Sequence, residues 1–175
     1  MKNRLFRMGA VMLVIWAAGC ASPGAITPNT TTADELSRQL GKPTEVRQSS
    51  QGGEFWDYAY GPAGLETWRF HVDQGRMVRS ATQLLTLERL YRVVPGETTM
   101  EQVRDLLGSP HPRNITGLPL SGETAWEWRI QMEPTASLGA YIVRFDSRGI
   151  AVGIHVLMET ASDGNRDNSG GGGGP

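Results

Sequence analysis

Cys20 is the only thiol in the chain, so no intramolecular disulfide is open to it. It follows Ala17-Ala18-Gly19, small residues of the kind found at a cleavage point. The three histidines, His71, His111 and His155, stand apart, and none has a second His, Cys or carboxylate at metal-ligand spacing. His71, two residues before Asp73, reads as an ordinary strand histidine. No nucleophile-elbow, zinc-helix or phosphate-loop string occurs, and the glycine run at 170–174 leads into no strand or helix. Nothing in the pattern supports Ser121 or Ser137 as a nucleophile. The chemistry to expect is modification of one thiol, with no catalytic residue, no metal and no cofactor.

The residues before Cys20 give that thiol an address. Lys2, Arg4 and Arg7 form a basic start, and Met8 to Trp16 is apolar apart from Gly9. That run is well short of the roughly 20 residues that cross a bilayer. The reading is a signal peptide over 1–19, cut between Gly19 and Cys20, with a tether over 20–27. Ala-Ala-Gly-Cys resembles the lipobox of bacterial lipoprotein signal peptides. The resemblance implies a diacylated Cys20 thiol and an acylated new amine, with outer-membrane lipid as the first partner. Each buried CH₂ contributes about 0.8 kcal/mol, and two or three chains make such an attachment stable. Ala21, where an aspartate would resemble a retention signal, implies an outer-membrane protein facing the periplasm. Loss of 1–19 takes three of the 17 basic residues and leaves 14 against 18 acidic ones. An acidic chain with no basic cluster is not expected to bind nucleic acid.

The elements behind this address are built on one pattern used twice. Pro95 to Pro110 reads PGETTMEQVRDLLGSP. Thr98 precedes Glu101 at capping-box spacing, and Thr99 with Gln102 offers the same arrangement one residue later. Met100, Val103, Leu106 and Leu107 recur at helical spacing; Gly108 can end the helix in a left-handed conformation and Pro110 stops it. Pro28 to Pro43, PNTTTADELSRQLGKP, repeats the prolines, Thr31 and Thr32, Leu40 and Gly41 at one offset. This is read as a duplication, with Gly41 and Pro43 matching Gly108 and Pro110, and Asn29 standing where the second copy has Gly96.

Alternating segments follow each helix. Glu54 to Tyr60, Thr67 to Val72 and Met77 to Leu84 read as a first antiparallel meander. A short helix is expected near Thr86, and residues 111–124 read as a loop. Ala125 to Ile130, Tyr141 to Phe145 and Ile150 to Met158 form the second meander, with Trp126 and Trp128 inward. The expected units are 28–85 and 86–160, followed by a disordered Gly-rich tail over 161–175. Gly96-x-Thr98, Val103, Leu107-Gly108-x-Pro110 and the strand at Trp126 together resemble the BamE or SmpA/OmlA group of small outer-membrane lipoproteins. That resemblance implies an α+β fold, a tandem repeat of a short helix or helix pair packed on a three- to four-stranded antiparallel sheet. The tandem layout also resembles secreted β-lactamase-inhibitor proteins.

Alternation places Phe55 and Tyr141 opposite the inward sets of their strands, which makes them the expected partner-binding residues. The face expected to bind is the one turned away from the helices, or a groove between the units. The functional expectation is a lipid-anchored protein-binding module, not an enzyme, serving as an accessory or scaffold in envelope biogenesis alongside another envelope protein. The competing expectation is an inhibitor or sensor that caps a soluble periplasmic enzyme or ligand.

Overall fold

The computed structural model describes residues 22–60, 63–132 and 137–159. The leader 1–19, the cleavage and lipidation point at Gly19 and Cys20, and the tail 161–175 lie outside the described residues. The first half comprises α1 (Ala33–Leu40), β1 (Glu45–Gln48), β2 (Glu54–Ala59), β3 (Thr67–Val72) and β4 (Val78–Gln83). After α2 (Leu87–Leu90) come α3 (Met100–Leu107), β5 (Ile115–Leu118), β6 (Glu123–Met132), β7 (Ser137–Phe145) and β8 (Ala151–Met158). The strands form two four-stranded antiparallel sheets, β1-β2-β3-β4 and β5-β6-β7-β8.

The expected α+β class, with helices layered on each sheet in a BamE-like tandem, is corrected by this topology. The described chain is mostly β, with few and short helices. An eight-residue helix spans about 12 Å, whereas a ten-residue strand such as β6 runs about 33 Å. Neither α1 nor α3 is long enough to form a layer. Each fully buries two side chains in a core, Ala33 and Leu36 from one, Val103 and Leu107 from the other, with Leu40 and with Met100 and Leu106 packed at the margin. A second correction concerns residues 115–118. Read as loop, they form β5, paired with β6 from Ile115↔Trp126 to Leu118↔Glu123. None of the four is buried, so they show no apolar alternation.

Each helix is fastened to the last strand of its sheet before its first turn. The Asn29 amide donates to the Val78 carbonyl at 2.7 Å, and the Val78 amide donates to Thr31 at 3.0 Å. In the second half Gly96 donates to Ala151 at 2.7 Å, and Ala151 donates to Thr98 at 2.9 Å. The first residue of each loop pair has positive φ, 65° at Asn29 and 85° at Gly96. Asparagine tolerates that region better than most side chains, so the missing glycine costs little. The helix caps are Thr32 with Glu35 and Thr99 with Gln102, both complete capping boxes. The second box lies one residue after Thr98. The Thr98 hydroxyl is buried and accepts from the Val94 amide at 2.8 Å.

Two separate apolar clusters result. Leu36, Trp56, Tyr58, Phe70 and Val78 centre the first. Val103, Leu107, Trp126, Trp128, Val143 and Phe145 centre the second. Trp126 packs edge-on against Trp128 at 5.9 Å and Phe145 at 5.2 Å, favoured ring geometry.

Gly41 and Gly108 both end their helices at positive φ, 80° and 73°. Their ψ values, −155° and 166°, are extended, so the conformation is not the left-handed helical one expected; it is a region open to glycine almost alone. The surroundings differ. A Cβ on Gly41 meets nothing within 4 Å, whereas one on Gly108 would lie 2.6 Å from Thr67 Cγ2 and 3.2 Å from Leu84 Cδ1. Gly41→Ala should therefore cost about 1–3 kcal/mol from backbone strain alone. Gly108→Ala should cost about 1–3 kcal/mol more through overpacking. Urea unfolding of the two variants checks the order, and equal losses would contradict it.

Candidate functional site

The face of the first sheet opposite its apolar cluster carries a row of charge. Register aligns Glu45, Asp57 and Arg69 across β1, β2 and β3. Asp57 is 1 % exposed, and Arg69 grips it in bidentate fashion, Nε to Oδ1 and Nη2 to Oδ2, both at 2.7 Å. The same guanidinium reaches the second half. Its Nη1 donates to the Asp105 carbonyl at 2.8 Å and its Nη2 to the Arg104 carbonyl at 3.0 Å. These are carbonyls of the last turn of α3, where a cation is favoured by the helix dipole; the Arg104 carbonyl also accepts from the Gly108 amide at 2.9 Å. Arg47 adds an ion pair to Asp105 at 2.6 Å, and the Ser109 hydroxyl donates to Glu45 at 2.6 Å. Gly108 lies on this row too, with no room for a Cβ between Thr67, Leu84 and Asp57. One side of α3 thus closes the second core while its C-terminal turn sits on the first sheet.

This junction changes the meaning of Phe55. Its strand position is opposite Trp56 and Tyr58, on the charged face, but it is only half-exposed. The Arg69 guanidinium lies 5.3 Å from its ring centroid, and the His71 ring lies 5.4 Å away, tilted. His71 Nε2–H in turn donates to the Gly52 carbonyl at 2.7 Å. Phe55 therefore flanks the contact between the halves. Tyr141 is a plain correction to the expected binding pair. It is 5 % exposed, stands across from Trp128 in register, and its hydroxyl donates to the Leu90 carbonyl at 2.9 Å. Burial pushes its phenol up to about 12. The error is one of phase: Tyr141 pairs with Trp128 and so shares its face, a relation invisible within either strand alone.

The outer face of the second sheet is different. Alternation turns Glu127, Arg129, Leu138, Ala140, Ile142 and Arg144 away from the tryptophans, with His155 and Leu157 of β8 beside them. None belongs to either core cluster. Leu138 is 37 % and Leu157 58 % exposed, with Ile142 half-buried between the flanking strands. Charges rim this apolar strip. Arg129 pairs with Glu159 at 2.5 Å, and its hydrogen bond holds that carboxyl below the ordinary range. Arg144 pairs with Glu123 at 2.9 Å and lies against Gly153, where a Cβ would come within 2.9 Å of Nη2. An apolar centre with a polar, ion-paired rim is the anatomy of a protein contact.

The expected groove between the halves is a cleft of about 200 Å³ lined by Leu65, Gln83, Leu85, Leu87, Leu90 and Ile130. Small-molecule sites usually begin near about 300 Å³, so it is small for one. Among the described residues no three His, Cys, Asp or Glu side chains are grouped as metal ligands. Among them, too, no helix is long and apolar enough to cross a membrane.

No protein-family model matches the chain, and no curated protein matches it. A solved structure with some likeness is an extracellular protein containing an SCP domain from Bacillus anthracis str. Ames, with a TM-score of 0.31 and 15 % identity. The match covers 90 % of this chain and 49 % of the other, so the chain spans about half the length of that protein. A likeness that slight assigns neither fold nor function.

The junction generates a direct test. Arg69→Ala would strip buried Asp57 of both its short hydrogen bonds, leaving only Arg47 at 3.9 Å, and would remove one donor from each of two α3 carbonyls. The loss expected is about 3–5 kcal/mol in urea unfolding. Arg47→Ala, whose closest partner Asp105 is 60 % exposed, should lose about 1 kcal/mol or less. Equal losses would remove Arg69 from the centre of the junction.

Proposed function

We propose that the chain is a lipid-anchored, periplasm-facing binding protein that uses the outer face of its second sheet to hold another envelope protein. The observation that carries this reading is the Leu138–Ile142–Leu157 strip, an exposed apolar centre bounded by the Arg129–Glu159 and Arg144–Glu123 pairs. The corresponding charged face of the first sheet is occupied by the end of α3, which leaves one broad sheet face open among the described residues. The address rests on the sequence: a short apolar leader with Ala-Ala-Gly before the single cysteine, and the motif resemblance to small outer-membrane lipoproteins. A binding role needs only shape and apolar area, which a rigid antiparallel sheet provides. The role that fits this address is an accessory or scaffold in envelope biogenesis.

Two measurements test the proposal. Cys20→Ser should abolish acyl labelling and leave uncut precursor; normal acylation of that variant would refute the anchor. Affinity capture from solubilised membranes should recover an envelope-assembly protein with the native chain. Ile142→Asp, which puts a charge in the middle of the strip, should weaken capture at least about tenfold, the scale of a single interface hot spot. Recovery of a soluble periplasmic enzyme instead would favour the inhibitor or sensor role.

A further inference from the structure

Each sheet has two edges, and three of the four carry protection. β1 presents Glu45 and Arg47, β4 presents Arg79, and β5 is only four residues long with Pro119 directly after it. Charge, short length and proline are the ordinary devices that keep an edge from pairing with another chain. β8 has none of them. Ala151–Met158 contains no charged residue and no proline, and Val156, Leu157 and Met158 are 47, 58 and 43 % exposed.

Its backbone is open as well. The Glu159 amide donates to the Leu138 carbonyl at 2.8 Å, which sets the phase of the β7–β8 ladder. Residues 159, 157, 155 and 153 therefore bond inward to β7. Ile154, Val156 and Met158 turn their N–H and C=O groups to the free edge. The start of the same edge is closed, because both backbone groups of Ala151 are taken by Gly96 and Thr98. Residues 160–175 carry no large apolar side chain.

We infer that β8 is a self-association edge, and that a second copy of this chain pairs with it antiparallel through its own β8. Self-pairing must bring residues of one sheet face opposite each other and outward amides opposite outward carbonyls. A two-fold axis at Val156 satisfies both conditions. Val156 then meets Val156 of the second copy, and Ile154 meets Met158 on either side, for roughly six backbone hydrogen bonds at two per pair. On the other face His155 stands opposite Leu157. No like charges meet, because the paired segment has none, whereas a charged peptide would set its charge against Val156 and Met158. The product is one eight-stranded antiparallel sheet, with the two Leu138–Ile142–Leu157 strips on the same side.

The test uses the full chain in detergent micelles, with its protein mass followed by sedimentation over a concentration series. The native chain should reach the mass of two copies. Val156→Pro should remain a single copy with an unchanged circular dichroism spectrum, because the N–H it removes has no bond within the chain; proline is tolerated at such edge positions. Val156→Lys should do the same and keeps the test open if proline disturbs the strand. In a Cys20→Ser background, Val156→Cys should form a disulfide-linked dimer on mild oxidation, since paired Cα atoms lie about 5.5 Å apart, within disulfide reach. A native chain that stays monomeric, a dimer that survives both substitutions, or a dimer that fails to cross-link at position 156 overturns the inference. Such a failure leaves the outer-face proposal standing, because Ile142 lies on β7, one strand in from the edge.

Discussion

The arrangement of the two halves depends on one buried carboxylate. Asp57 sits in the middle of a four-stranded sheet at 1 % exposure, and only Arg69 contacts it at hydrogen-bond distance with both oxygens engaged. A charge in that position is tolerable only with a partner of this quality. Arg69 has donors left over, and it spends them on the carbonyls at the end of α3. The cation that neutralises the first sheet therefore also caps a helix of the second unit. Because the two apolar cores are separate, this polar contact, with Arg47, Glu45 and Ser109 around it, fixes how the units meet.

That constraint has a functional consequence. A four-stranded sheet has two faces, and in the first sheet both are used, one by its core and one by the end of α3. In the second sheet, among the described residues, only the face with Trp126 and Trp128 is covered. The free surface is thus unequal between two halves that start from nearly the same sixteen-residue pattern. The exposed apolar residues of that outer face lie on β7 and β8, flanked by arginines already paired with Glu123 and Glu159.

Parts of this were legible in the sequence for physical reasons. The helix starts and stops were readable because caps and glycines act within a few residues: Thr32 and Thr99 bond three residues ahead, and Gly41 and Gly108 need a backbone that other residues resist. The inward tryptophans were readable because alternation is also local. What escaped the sequence was set by pairing between strands. Tyr141 has an apolar neighbour on each side, so its own strand gives no phase, and only the register against Trp128 decides its face. β5 buries nothing and has no pattern to show. Asp57 looks like an outward polar residue until Arg69, twelve positions later, stands across from it. The fold class failed on length: the helices were located, but at eight residues each they are too short to layer four-stranded sheets, the longest strand of which, β6, runs nearly three times as far.

The central claim is that partner contact belongs to the second sheet's outer face and not to the face that carries Phe55. A photo-activatable side chain placed at Ile142 or at Phe55 in cells, followed by irradiation and recovery of the cross-linked products, tests this most directly. Position 142 should yield a cross-link to another envelope protein, and position 55, which is lined by Arg69 and His71 of the same chain, should yield none. A cross-link to such a protein from position 55 with nothing from 142 would contradict the account.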